Sequence, residues 1–271
     1  MKTRIIAGLC MAPLLVVLYF GGIPLAIIGA AIAVLGVTEF YNGWENLDVK
    51  PSKYIAYAMI ALLYAFHFTT IFLDNYTFNS IAIYVLVAWL LLSIVASMVY
   101  GWKIKERGPY DAVITMLGIV YVVFFSYHIV LLDRLETGYL FVWTVVLAAF
   151  GSDIAAYFTG MKFGKRKLAP NLSPKKTIEG AYGGVIGATV LCLIFSLIFA
   201  REYILQCILI GAVGGAVSQA GDLTASAFKR KMKIKDYGNL IPGHGGIMDR
   251  FDSVIFVAPF VYYLVLFTVE M

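Results

Sequence analysis

Two stretches and one isolated acid carry most of the residue types able to do chemistry in this 271-residue chain. In the later stretch, Asp222, Ser226, Lys229 and Arg230 stand at i, i+4, i+7 and i+8, which is one face of a helix. Asp249 and Asp252 follow at i, i+3, again one face, and between the two faces run Lys235-Asp236 and Pro242-Gly243-His244-Gly245-Gly246. Three glycines and a proline in five residues cannot continue a helix. They leave backbone N–H and C=O groups free close to a helix start, where anions are favoured. In the earlier stretch, Ser173-Pro174-Lys175-Lys176-Thr177-Ile178-Glu179-Gly180 places two lysines and a hydroxyl just before a helix start. Lysines there repel the positive end of the helix dipole unless an anion such as a phosphate joins them. Glu179, in the first turn, reads equally well as a capping residue. The isolated acid is Asp153. Carboxylates with lysines, arginines and free backbone amides are the parts for metal-assisted phosphoryl or nucleotidyl transfer. The Walker spacing and the G-x-S-x-G elbow are both missing from the sequence. Cys10, Cys192 and Cys207 lie in apolar runs without metal-ligand spacing, so neither a disulfide framework nor a zinc site follows.

The elements that must hold these residues are membrane spans. The chain is 61% hydrophobic and 14% charged, with a mean hydropathy of +0.86, whereas soluble domains are roughly 45–50% apolar and about 25% charged. Runs long enough to cross a bilayer occur at 5–20, 23–40, 54–72, 80–100, 111–132, 137–161, 178–200, 203–231 and 247–270, which predicts an all-α polytopic fold of about nine helices. The first two, joined by Gly21-Gly22-Ile23-Pro24, read as two crossings or as one re-entrant hairpin. No small-x-small cleavage site follows the first run, so it is not read as a secretory signal. Of the 21 lysines and arginines, 19 fall on the side of the N-terminus, leaving Arg134 and Arg201 opposite. Basic loops stay in the cytoplasm, which predicts a cytoplasmic N-terminus and cytoplasmic loops at 162–177 and 232–246. The same distribution argues against a nucleic-acid partner, because the net charge of +5 lies between spans. Glu39, His67 and His128 are single polar oddities in the early spans, and helix-packing hydrogen bonds are the simpler reading of the two histidines.

Length places the acids. The runs 137–161 and 203–231 would extend about 38 and 44 Å at 1.5 Å per residue, against a hydrocarbon core of about 30 Å. Asp153, Glu179, Asp222, Asp249 and Asp252 then share the depth of the cytoplasmic lip. Charged residues there mark a functional site by default. Local ion pairing and an ion-coupled transporter stay open as readings of the same acids. A transporter would place them at the bilayer midplane.

The segment Ser226-x-x-Lys229-Arg230-x4-Lys235-Asp236-x5-Pro242-Gly243-His244-Gly245-Gly246-Ile247-x-Asp249-Arg250-Phe251-Asp252 resembles the signature of the phosphatidate cytidylyltransferases (CDP-diacylglycerol synthases). Ser173-Pro174-Lys175-Lys176-Thr177-x-Glu179-Gly180 and Asp153 are similar to that family too, so the specific likeness covers about 150–271, and 1–150 match only as hydrophobic spans. The resemblance implies an N-terminal transmembrane part (1–150) and a catalytic part (151–271) in a Mg²⁺-dependent enzyme of phospholipid synthesis. It would sit in a bacterial inner membrane and convert CTP and phosphatidate to CDP-diacylglycerol and diphosphate. Rivals are a CTP-dependent lipid kinase of the phytol or dolichol type and, in a different class, the transporter. A CDP-alcohol phosphotransferase would need a D-G-x-x-A-R helix, which the sequence lacks. The expected roles are Asp222 and Asp249 on the metal with Asp252 beside them, and Lys175, Lys176, Lys229 and Arg250 on phosphates. His244 would take the leaving diphosphate or orient a carboxylate, and Asp153 and Glu179 would support. Thr177, Ser226, Arg230, Lys235, Asp236, Gly243, Gly245 and Gly246 complete the expected substrate surface. Carbonyls of the glycine-rich loop would suit a second, monovalent cation. Membrane lipids surround the chain, and a homodimer is an assembly the sequence allows.

Overall fold

A computed structural model describes residues 14–73, 75–103, 105–240 and 245–270. Among the described residues eight long helices follow one another: α1 (Gly22–Glu45), α2 (Lys53–Thr69), α3 (Asn75–Tyr100), α4 (Pro109–Asp133), α5 (Gly138–Phe163), α6 (Ile178–Phe199), α7 (Arg201–Lys231) and α8 (Met248–Glu270). All but α2 are long and apolar enough to cross a membrane, and α2, at 17 residues, is at the lower limit for a crossing. The chain is an all-α polytopic membrane protein. Of the run expected at 5–20, residues 14–20 are helical and the remainder lies outside the described residues. Gly21 and Gly22, both at positive φ (57° and 53°), break this helix from α1, a conformation that favours glycine.

The stretch expected as a plain loop at 162–177 contains a small antiparallel hairpin, β1 (Lys167–Ala169) and β2 (Ser173–Thr177). Its turn has Pro170 and Asn171 at the two central positions, and the Leu172 N–H donates to the Ala169 carbonyl at 3.2 Å. A three-residue strand beside a proline has too little period-2 pattern to be visible in the sequence.

The helices form two compact units interleaved along the chain, residues 1–130 with 232–249 and residues 131–231 with 250–271. In the first, the connection between α7 and α8 is fastened to α1. Met232 packs on Gly43 and Met248 beside Gly36, both methionines fully buried. The Tyr237 and Phe40 rings lie 6.2 Å apart. Tyr41 donates to the Thr115 carbonyl at 2.6 Å. His67 bonds to Tyr127 across two helices, as the packing reading expects, whereas His128 bonds to the Phe124 carbonyl one turn back in its own helix.

In the second unit, α5 and α6 meet along a seam of small residues. A methyl group added at Gly184 would lie 2.9 Å from the Ser152 carbonyl, and one at Gly180 2.9 Å from that of Ala156. The glycines that lower helix propensity therefore let two backbones approach, as small residues do between membrane helices. Polar side chains tie α7 to the pair. Gln219 donates to the Ala181 carbonyl (2.9 Å) and to Ser152 (3.2 Å), and Ser152 donates to the Gly215 carbonyl (3.1 Å). A five-residue π-helical stretch, Ile210–Gly214, interrupts α7 without ending it.

Candidate active site

Thr177 sets the local geometry of the second unit. It ends β2 and caps α6, its hydroxyl accepting the Gly180 N–H at 3.1 Å. Lys175 and Lys176 are thereby held on the strand immediately before the helix start. A cleft of about 350 Å³ opens there, lined among others by Lys175, Lys176, Thr177, Asp153 and Asp222. Its remaining wall includes Tyr157, Met161 and Leu168. Tyr157 and Met161 are themselves largely exposed on α5. Lys176 and Asp222 form an ion pair whose side chains are each about one quarter exposed, 25% and 26%. The two lysines expected to need an anion thus already have one carboxylate.

Several expected residues join this group. Ser226 Oγ lies 3.5 Å from Asp222 Oδ1, one turn along the same face. Asp252 is buried, and its Oδ1 accepts the Ser253 N–H at 2.7 Å. The Ser253 hydroxyl lies 3.4 Å from both Asp252 and Asp153, linking α8 to α5. Arg250 stands in the first turn of α8 with its Nε buried and, among the described residues, without a hydrogen-bond partner. Lys229 and Arg230 fall in the last turn of α7, where the helix dipole favours cations. Arg230 Nε donates to the Leu172 carbonyl at 3.3 Å, fastening the hairpin turn.

Glu179 faces away from this group. Its carboxylate accepts the N–H groups of Lys165 and Arg166 (3.0 and 3.2 Å) and pairs with the Arg166 guanidinium (3.3 Å). It pins the exit of α5 to the start of α6.

Asp249 belongs to the first unit. Its Oδ2 accepts the N–H groups of Tyr237 (2.7 Å) and Gly246 (3.0 Å), so the connection folds back on it. Gly245 has φ 82°, and a methyl group there would sit 2.6 Å from the Asp249 carboxylate, two independent reasons for glycine. Lys235 and Asp236 are exposed. Gly243 and His244 lie outside the described residues.

Three participants were not picked out from the sequence as site residues. Gln219 and Ser253 are ordinary polar residues whose relevance depends on helix packing. Glu39 was visible only as an acid inside an apolar run, yet its carboxylate accepts the N–H groups of Ile247 and Met248.

Hard carboxylate oxygens fit Mg²⁺, which is bound through one or two carboxylates together with phosphates and water. Among the described residues, no three His, Cys, Asp or Glu side chains are grouped to hold a metal by themselves.

Comparison with known proteins shows the family. A model of the cytidylyltransferase family matches residues 2–268. The chain belongs to that family. It is 34% identical to the phosphatidate cytidylyltransferase of Bacillus subtilis over 97% of both chains. It is 32% identical to that of Aquifex aeolicus over 74% of this chain and 72% of the relative. Identity to the Pseudomonas aeruginosa phosphatidate cytidylyltransferase reaches 56%, over 42% of this chain and 43% of the relative.

Proposed function

We propose that this chain transfers the cytidylyl group of CTP to phosphatidate, forming CDP-diacylglycerol and releasing diphosphate. The observation that carries the proposal is the cleft. It sets Lys175 and Lys176 beside Asp153 and Asp222 and adds an apolar wall of Tyr157, Met161 and Leu168. Such a surface suits a substrate with an anionic head and an apolar body. The names of the bacterial relatives supply the lipid and the reaction.

A phosphatidate phosphate oxygen attacks the α-phosphorus of CTP, and the bond to the diphosphate oxygen breaks. The nucleophile is already an anion, so a strong general base is unnecessary. The obstacle is repulsion between two polyanions. Lys175 and Lys176 reduce it by taking phosphate oxygens, Lys176 exchanging its carboxylate partner for substrate. The buried Nε–H of Arg250 is a further donor for a phosphate oxygen. Asp222, supported by Asp153 and Asp252, would hold Mg²⁺ in this unit, while the assignment of Asp249 as a ligand rests on the sequence signature. When bound, Mg²⁺ supplies charge neutralisation at the reacting phosphates. The reaction belongs on the cytoplasmic side of a bacterial inner membrane, supported by the distribution of lysine and arginine and by the bacterial origin of the relatives.

The test is the fate of label in purified protein given CTP and phosphatidate. Label on the α-phosphate is expected in the lipid and label on the γ-phosphate in diphosphate. Transfer of γ-label to the lipid would establish a kinase instead.

A further inference from the structure

α1 carries Glu39 six residues before its end on Glu45, within a helix long and apolar enough to cross the membrane. An acid in that setting needs a partner that compensates its charge. Among the described residues no lysine, arginine or histidine forms an ion pair with Glu39. Its two oxygens instead accept backbone N–H groups, Oε1 from Ile247 at 3.1 Å and Oε2 from Met248 at 2.9 Å. Met248 is the first residue of α8. The first N–H groups of a helix have no partner within it and form its positive end. Glu39 therefore caps α8 from 208 residues away, with the negative charge that the dipole favours.

The surrounding residues are shaped to this carboxylate. A methyl group at Gly238 or Gly246 would overlap the Glu39 side chain. Gly246 also donates its N–H to Asp249, whose same oxygen accepts the Tyr237 N–H. Two carboxylates thus divide the N–H groups of one turn between them, Asp249 from within and Glu39 from α1. If Glu39 released Ile247 and Met248, the frame that orients Asp249 would lose its outer half.

We infer that Glu39 is a positioning residue, fixing the start of α8 and with it the carboxylate of Asp249. This rests on the proposed cytidylyl transfer only in its kinetic consequence.

The experiment compares wild type with Glu39→Gln in detergent. Gln keeps the size and one acceptor oxygen but turns an NH₂ toward one of the two N–H donors, leaving a buried donor unmet. Backbone hydrogen exchange across 245–249 is expected to quicken about tenfold while exchange in α5 and α6 stays unchanged. The kcat for CDP-diacylglycerol should fall about tenfold or more, with KM for CTP and phosphatidate held within about twofold. If Glu39→Gln does not accumulate, Glu39→Asp, which keeps charge but shortens the reach, is measured in the same way. Unchanged exchange across 245–249 overturns the inference. So does a faster exchange spread evenly over the chain, which would make Glu39 a general stabiliser. A wild type inert toward CTP and phosphatidate would refute the proposed reaction, and the exchange comparison would still decide the role of Glu39.

Discussion

Lys176 meets Asp222 in a pair that is partly exposed on both sides. Exposed pairs contribute little to stability, roughly 0–1 kcal/mol, so the lysine is better placed to exchange partners than to hold the fold. Lys176→Ala is accordingly expected to lower kcat/KM for CTP and phosphatidate about a hundredfold while shifting the unfolding temperature by no more than a few degrees. Steady-state kinetics and thermal unfolding on one preparation check both halves. An enzyme that loses its folded form in proportion to its activity would mark the pair as structural. The types and spacing of Asp153, Lys175, Lys176 and Asp222 showed in the sequence because charges within apolar runs are rare. Glu179 was legible as a first-turn acid, but its true partners, the N–H groups of Lys165 and Arg166, depend on how α5 ends.

At the scale of elements, the glycines of α6 illustrate what sequence alone cannot resolve. Glycine disfavours a helix by about 1 kcal/mol relative to alanine, and in isolation Gly180, Gly183, Gly184 and Gly187 weaken the span. Their benefit appears only against α5, where Ala156 and Ser152 present backbone carbonyls to Gly180 and Gly184, and the Thr159 and Ala155 side chains lie against Gly183 and Gly187. Gly184→Leu would drive a side chain into the Ser152 carbonyl and the Gln219 amide, both within 3 Å of an added methyl. Overpacking of this kind costs about 1–3 kcal/mol or more, and the variant should unfold earlier on heating and lose the ordered cleft. Thermal unfolding in detergent checks this, and a Gly184→Leu protein as stable as wild type would mean that the seam is loose. The β1–β2 hairpin was not legible for a different reason. Its strands are too short for a periodic signal, and what fixes them is the Pro170-Asn171 turn with Arg230 reaching back to Leu172.

For the whole molecule, the membrane character and the position of most spans were legible because hydropathy is a sum over about twenty residues and tolerates local error. Contacts such as Glu39 to Met248, joining residues 209 apart, leave no local pattern. The division into two interleaved units likewise follows from packing rather than from any linker in the chain. The proposed orientation rests on the basic residues. In a background lacking the native cysteines, cysteines placed at the exposed positions Lys165 and Lys233 should resist an impermeant thiol reagent added outside intact cells. Labelling of either from outside would reverse the topology. The most direct test of the account joins the reaction to the cleft. Wild type and Asp222→Asn, purified alike, are given CTP labelled on the α-phosphate, phosphatidate and Mg²⁺, and labelled lipid is measured over time. Wild type should form labelled CDP-diacylglycerol, and Asp222→Asn, equal in size but uncharged, should form it at least about a hundredfold more slowly. Equal rates in the two proteins, or no labelled lipid from either, would contradict the account.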